Sequence, residues 1–330
     1  MESQQSHNKL HVVFLPFPTP GHMIPMIDTA RLFAMHGVNV TIIATHANAS
    51  TFQKSIDSDF NSGYSIKTHL IQFPSAQVGP VSAWTNKDGE KKAKRGHIEE
   101  LGKEEEWLNW LNSKQNESVL YVSFGSLVRF PHAQLVEIAH GLENSGQNFI
   151  WVIKKYDKDE DGEGFLQEFE ERLKESKKGY IIWNWASQLL ILDHPATGGI
   201  VTHCGWNSIL ESVNSGLPMI TWPVFAEQFY NEKLLVDVLK IGVPVGAKEN
   251  NLWININVEK VVRREDIVKA VKILMGSDQE SKEMRMRAKK LGDASKRTIE
   301  EGGDSYNNLI QLIDELKSLK KSKALGVKAD

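Results

Sequence analysis

The 330-residue sequence predicts an α/β fold of two Rossmann-like domains, each a doubly wound parallel sheet with helices on both faces. Three observations carry that expectation. Short β-branched runs recur, among them Val38–Ala44 (VNVTIIA) and Val119–Phe124, bounded by turns rich in glycine or proline. Stretches of 3.6-residue apolar periodicity alternate with them, as right-handed strand–helix–strand crossovers require. The length suits two domains, and 41% apolar with 25% charged residues is an ordinary globular composition.

In the first domain, Leu10–Phe14 reads as a buried strand ended by the turn PFPTPGH. From Met23 to His36, Ile24, Ile27, Ala30, Leu32 and Phe33 recur at helical spacing, and Gly37 is a good stop. Val38–Ala44 is the second strand, Ser50–Ile56 a short helix, and Tyr64–Phe73 supplies a third strand. A nicotinamide-binding domain opens in the same way, but the first turn here lacks its three glycines. No acidic residue ends the second strand either.

The polar stretch TNKDGEKKAKRG reads as a linker, so the expected division is 1–79, a linker over 80–104, and 105–330. Beyond it, Glu105–Ser113 is a short helix and Val119–Phe124 a strand ending in Gly125-Ser126. His132–Glu143 is amphipathic, and Phe149–Ile153 and Tyr180–Trp183 are strands. Asp157–Asp161 and Asp57-Ser58-Asp59 contain DxD pairs, which hold a metal and nucleotide in some enzymes. Their acidic, polar surroundings favour solvated loops instead. No His/Cys cluster has metal-ligand spacing, so neither a metal nor another cofactor is expected. Gln228–Leu239, Arg264–Met275, Lys282–Glu300 and Tyr306–Leu319 complete the helices.

A net charge of −3 and a pI of about 6.4 give no electrostatic case for nucleic acid or an anionic membrane. A single cysteine, Cys204, excludes an intrachain disulfide and fits a reducing compartment. The start reads as polar chain running into a strand, not as a secretory signal. No apolar run approaches the roughly 18 residues that span a bilayer. A cytoplasmic monomer is the expectation.

The chemistry gathers between Trp185 and Gln228. Gly198–Ser208 (GGIVTHCGWNS) is a strand that breaks at His203-Cys204-Gly205 into a helical pattern. The free N–H groups and dipole of such a helix suit a phosphate. Trp185 offers a face for stacking, Glu211 lies one turn inside the helix, and Glu227-Gln228 follow the next strand. Base, phosphate, ribose and sugar each find a partner: a nucleotide-sugar site.

From its opening tryptophan to its closing glutamine this stretch resembles, without a gap, the signature box of plant family-1 UDP-glycosyltransferases. Its wording is closest to the group acting on triterpenoid saponins and flavonoids, soyasapogenol glycosides among them. The resemblance implies the two-domain GT-B architecture and inverting transfer of a hexose, glucose or galactose, from UDP to a hydroxyl of a small secondary metabolite. It implies that Trp185 stacks on uracil with Ala186 and Gln188 at its edge, and that Glu211 holds the ribose. Ser126, His203, Gly205, Asn207 and Ser208 would surround the phosphates. Trp206, Glu227 and Gln228 would face the sugar. It makes His22, of the motif Gly-His-x-x-Pro, the catalytic base. The terminal helix is expected to return toward the N-terminal domain.

Three residues depart from the family's wording: Asn184 for a glycine, Ser187 for a proline and Ile209 for a threonine. The aspartate that partners the family's histidine is not found, which points to an internal deletion near Gly79-Pro80. The alternative reading is a shortened form that binds UDP or UDP-sugar and transfers nothing.

Overall fold

The computed structural model describes residues 10–16, 20–45, 49–71, 101–154, 160–248 and 261–326. The Gly79-Pro80 junction, the basic linker and Asp157–Asp159 lie outside them. The chain divides into two compact units, residues Met1–His97 with Thr298–Asp330, and Ile98–Arg297.

The first unit holds a three-stranded parallel sheet of β1 (His11–Phe14), β2 (Asn39–Thr45) and β3 (Ile66–Ile71), in the order β1-β2-β3. Helices α1 (Pro20–Met35) and α2 (Gln53–Asn61) make the crossovers. Their apolar faces bury Ile27, Ala30, Phe33, Phe52 and Ile56 against Val40 and Ile42 of β2. The C-terminal helix, Asp304–Gly326, belongs to this unit: Ile313 is 1% exposed in the same core, flanked by Leu309 and Leu316. Among the described residues β1 is an edge strand, and its Val13 and neighbouring Leu15 are exposed.

Helix α2 corrects the expected short helix and the expected loop together. It begins later than Ser50 and runs through Asp57-Ser58-Asp59. The Arg31 guanidinium donates to Asp59 from α1, with Nε to Oδ2 at 2.5 Å, and Gln53 donates to Asp57 one turn on. Both carboxylates thus serve the helix, and neither lies in a solvated loop.

The second unit is a six-stranded parallel sheet. Its strands are β4 (Val119–Ser123), β5 (Asn148–Ile153), β6 (Gly179–Trp183), β7 (Thr197–Thr202), β8 (Met219–Thr221) and β9 (Gly242–Pro244), ordered β6-β5-β4-β7-β8-β9. The first strand, β4, is central and wholly buried, as expected of a parallel sheet covered on both faces. With α3 at Leu101–Asn112, α4 is His132–Ser145, α5 Glu160–Ser176, α6 Gln188–Leu192, α7 Trp206–Asn214, α8 Gln228–Lys233, α9 Arg264–Met275 and α10 Gln279–Ile299. The C-terminal helix is α11.

One face packs α4, α5 and α9 through Leu135, Ile138, Phe169, Ile267 and Leu274. The other packs α3, α6 and α7 through Trp107, Leu111, Ile191 and Ile209. Gly198 and Gly199 of β7 make these approaches geometrically feasible, since a Cβ on Gly199 would lie 2.3 Å from Leu274 Cδ2. Helices α4 and α9 are pinned by Gln134, whose amide accepts from Val262 N at 2.8 Å and donates to Val262 O at 2.9 Å. Glu137 and the Arg264 guanidinium add an ion pair.

Two further corrections belong here. Helix α5 begins at Glu160, so the last two residues of the Asp157–Asp161 run expected as loop are helical; Phe165, Leu166, Phe169 and Leu173 are its core-facing side chains. The helix expected over Gln228–Leu239 is α-helical only to Lys233 and continues as a π turn, Leu234–Val238, closed by Leu239 N donating to Leu234 O at 2.9 Å. The wider turn keeps Leu235 fully buried while the chain swings into β9.

Candidate active site

The C-terminal ends of β4, β6 and β7 and the helix starts that follow them form the site in the second unit. Strand β7 ends at Thr202. The chain turns through Cys204 at φ 62°, and α7 begins at Trp206 with Ile209 N donating back to Gly205 O. The N–H groups of Trp206, Asn207 and Ser208 therefore have no acceptor within the helix. Asn231 of α8 donates to Cys204 O at 2.9 Å and holds the turn in place.

Gly205 sits at φ −65°, a value any residue adopts, so its role is space. A Cβ there would lie 2.4 Å from His203 Nε2, and a Cβ on Gly125 would lie 2.5 Å from His203 Cε1. The imidazole is bracketed by two bare backbones, beside Ser126. Burial, reinforced by the charge of Lys154, pushes His203 down to about 4, so the ring is neutral. Among the described residues its buried Nδ1 has no hydrogen-bond partner. Burial also raises the Cys204 thiol to about 12, which makes it a packed, inert group.

Trp185, Ala186 and Gln188 reach the site from β6. Asn184 takes φ 71°, the left-handed conformation glycine favours and asparagine tolerates, so this replacement keeps the turn. Ser187 has φ −71°, within the range proline would fix, so the loop keeps a proline-compatible shape. Ile209 is 2% exposed in the core beneath α7. This replacement therefore serves the packing of the helix on the sheet.

Trp185 is half-buried, and its Nε1 has no partner among the described residues. Gln188 is held firmly. Its amide donates to Glu211 Oε2 at 2.6 Å and to Ser208 Oγ at 3.4 Å, while its carbonyl accepts from Tyr121 Oη at 3.2 Å. Base-edge and ribose candidates are thus cross-linked before any ligand arrives. Tyr121, mid-strand in β4, escaped the sequence reading, because a tyrosine in a buried strand looks like core. Burial raises its hydroxyl pKa, so it remains a donor.

At the far end, Trp206 is 47% exposed and Glu227 is exposed. Gln228 is turned inward: it is 3% exposed, and its carbonyl oxygen accepts from Val224 N at 2.9 Å and Phe225 N at 3.0 Å. That fixes the loop after β8. Among the described residues no group of three or more His, Cys, Asp or Glu is placed to hold a metal ion, and no helix is long and apolar enough to cross a membrane. His22 belongs to the first unit, exposed in the opening turn of α1.

The family described as UDP-glucuronosyl and UDP-glucosyl transferase matches residues 79–292. Soyasapogenol B glucuronide galactosyltransferase of Glycine max is 38% identical over 487 residues, covering 97% of this chain and 98% of the relative. That alignment is far longer than this chain, so well over a hundred positions of the relative have no counterpart here. UDP-glucose flavonoid 3-O-glucosyltransferase 7 of Fragaria ananassa is 53% identical over 73% of this chain, which spans only 50% of that relative. Among solved structures, Glycyrrhiza uralensis UGT73P12 complexed with glycyrrhetinic acid 3-O-monoglucuronide superposes with a TM-score of 0.85 at 37% identity. The match covers 96% of this chain and 98% of that one.

Proposed function

This chain belongs to the UDP-glucuronosyl and UDP-glucosyl transferase family, and from that premise we propose that it transfers a hexose, glucose or galactose, from UDP to a hydroxyl of a triterpenoid saponin or flavonoid. The observation that carries the reading is the prearranged link of Gln188 to Ser208 and Glu211, on the helix that follows the bracketed, neutral His203. The relatives named for galactosyl transfer to a soyasapogenol glycoside and glucosyl transfer to flavonoids support the acceptor class.

In this reading Trp185 stacks on uracil, with Gln188 and the Ala186 backbone at its edge. Glu211 accepts from the ribose hydroxyls. Ser126, His203, Asn207, Ser208 and the backbone at Gly205 meet the phosphates, and Trp206, Glu227 and Gln228 meet the sugar. His22 accepts the proton of the acceptor hydroxyl as its oxygen bonds to the anomeric carbon. The bond to UDP breaks with inversion, and donors at the α7 N-terminus stabilise the charge gathering on the leaving diphosphate. Asp57 and Asp59 are engaged by Gln53 and Arg31. We place the enzyme in the cytoplasm as a monomer needing no metal or other cofactor. We also read residues 1–79 as an internally shortened acceptor-side domain, 80–104 as linker and 105–330 as the UDP-sugar side, with its terminal helix joining the core of the first unit.

The test is calorimetry with UDP beside product formation from UDP-glucose and UDP-galactose over a panel of sapogenin glycosides and flavonoids. Glycoside formation abolished in His22→Ala with UDP affinity kept, and UDP affinity lost in Glu211→Ala, would support the proposal. UDP binding without turnover of any acceptor would reduce it to a nucleotide-sugar binding module.

A further inference from the structure

Among the described residues, a cation at the edge of the assigned site has no role in it. Lys154 directly follows β5. Strand registers set Trp151 level with Val122 and Val122 level with Val201. Three residues further along these neighbouring strands lie Lys154, Gly125 and Cys204, so the lysine leaves the sheet beside the Gly125 turn on which the His203 ring rests. Strand alternation places Lys154 with Ile150, on the face shared by Tyr121, Ala186 and Ile209 of α7. Arg129, in the loop after β4, lies close enough to act on it. Burial and that second cation bring the Lys154 ammonium down to about 8, and its own charge reaches His203. Among the described residues no carboxylate offsets it.

A part-buried cation that no carboxylate offsets among the described residues is relieved by an arriving anion. A diphosphate is the anion this end of the sheet is built to receive. We infer that Lys154 is a direct ligand of the donor's diphosphate, supplying with His203 and the α7 N-terminus the positive charge that the departing UDP requires. The inference rests on the nucleotide-sugar reading proposed above. It extends the site to β5, which the signature stretch does not include.

Calorimetry of the full chain with UDP, UMP and uridine tests it in the wild type, Lys154→Met and Lys154→Arg. Lys154→Met should weaken UDP about ten- to a hundredfold, the range of a hydrogen bond to a charged group, and leave uridine unchanged. Its melting temperature should hold or rise, because a buried charge has been removed. Lys154→Arg should retain part of the UDP affinity. Equal losses for UDP and uridine, an unchanged UDP affinity, or an arginine variant as weak as the methionine one would each overturn the assignment while leaving the nucleotide-sugar site standing. A wild type that binds UDP no better than uridine would overturn both.

Discussion

Gly125 offers a sharp test of how the site is built, because a single added methyl perturbs it in two separable ways. Its φ of 73° strains any L-residue, at about 1 kcal/mol for alanine. The new Cβ would also lie 2.5 Å from His203 Cε1 and 2.7 Å from Nε2, where carbon contacts settle near 3.5–4.0 Å. The ring must retreat by about 1 Å toward Gly205, against backbone that leaves no spare room, and such overpacking costs about 1–3 kcal/mol. Gly146, the C-cap of α4, isolates the strain: its φ is 71° and nothing lies within 4 Å of its added Cβ. Gly146→Ala should lower the melting temperature of the second unit by about 2–4 °C, and Gly125→Ala by about 5–15 °C. If His203 meets the phosphates as proposed, UDP affinity should fall at least about tenfold in Gly125→Ala and stay unchanged in Gly146→Ala. Scanning calorimetry and UDP titration read both. If the two variants melt together and bind UDP alike, the bracketed histidine is not the element that shapes the phosphate site.

Two predictions concern stability. The Glu137 carboxylate is held below its usual range chiefly by its hydrogen bonds from Arg264, so its contribution is present above about pH 4.3 and is lost as the pH falls through its folded value. Glu137→Gln should therefore melt earlier than wild type at pH 7, with the gap closing below about pH 4 in a pH series of thermal scans. Ile313→Ala in α11 should destabilise the first unit by about 2–5 kcal/mol, seen as earlier loss of protection in hydrogen exchange over α1 and β2, with UDP affinity unaffected.

Much of this was legible in the sequence wherever local pattern and chemistry coincide. The turn at Gly198–Ser208 announces a strand, a break and a helix start, and the structure builds them there. Asn184 could be read as a deviation but not as a left-handed turn residue, because sequence gives its identity and not its φ. Ile209 could be read only as a departure from the family's threonine, yet position four of α7 lies in the core, and only the helix phase shows that. Helix α5 was hidden behind an acidic stretch, although Phe165, Phe169 and Leu173 already carry its period. Lys154 and Tyr121 were invisible for another reason: their significance comes from neighbours on adjacent strands, far away in the sequence.

The place of α11 bears on synthesis. Its Ile313 completes the core of three strands that end at Ile71, about 240 residues earlier. At about 5–20 residues per second, the ribosome needs on the order of tens of seconds to deliver that helix. The second unit, contiguous from Ile98 to Arg297, can meanwhile finish its sheet from its own residues. Vectorial synthesis thus inverts the order of maturation. The N-terminal strands emerge first and close last, and the apolar core that Ile313 completes makes that interval the one in which the nascent chain most needs a chaperone.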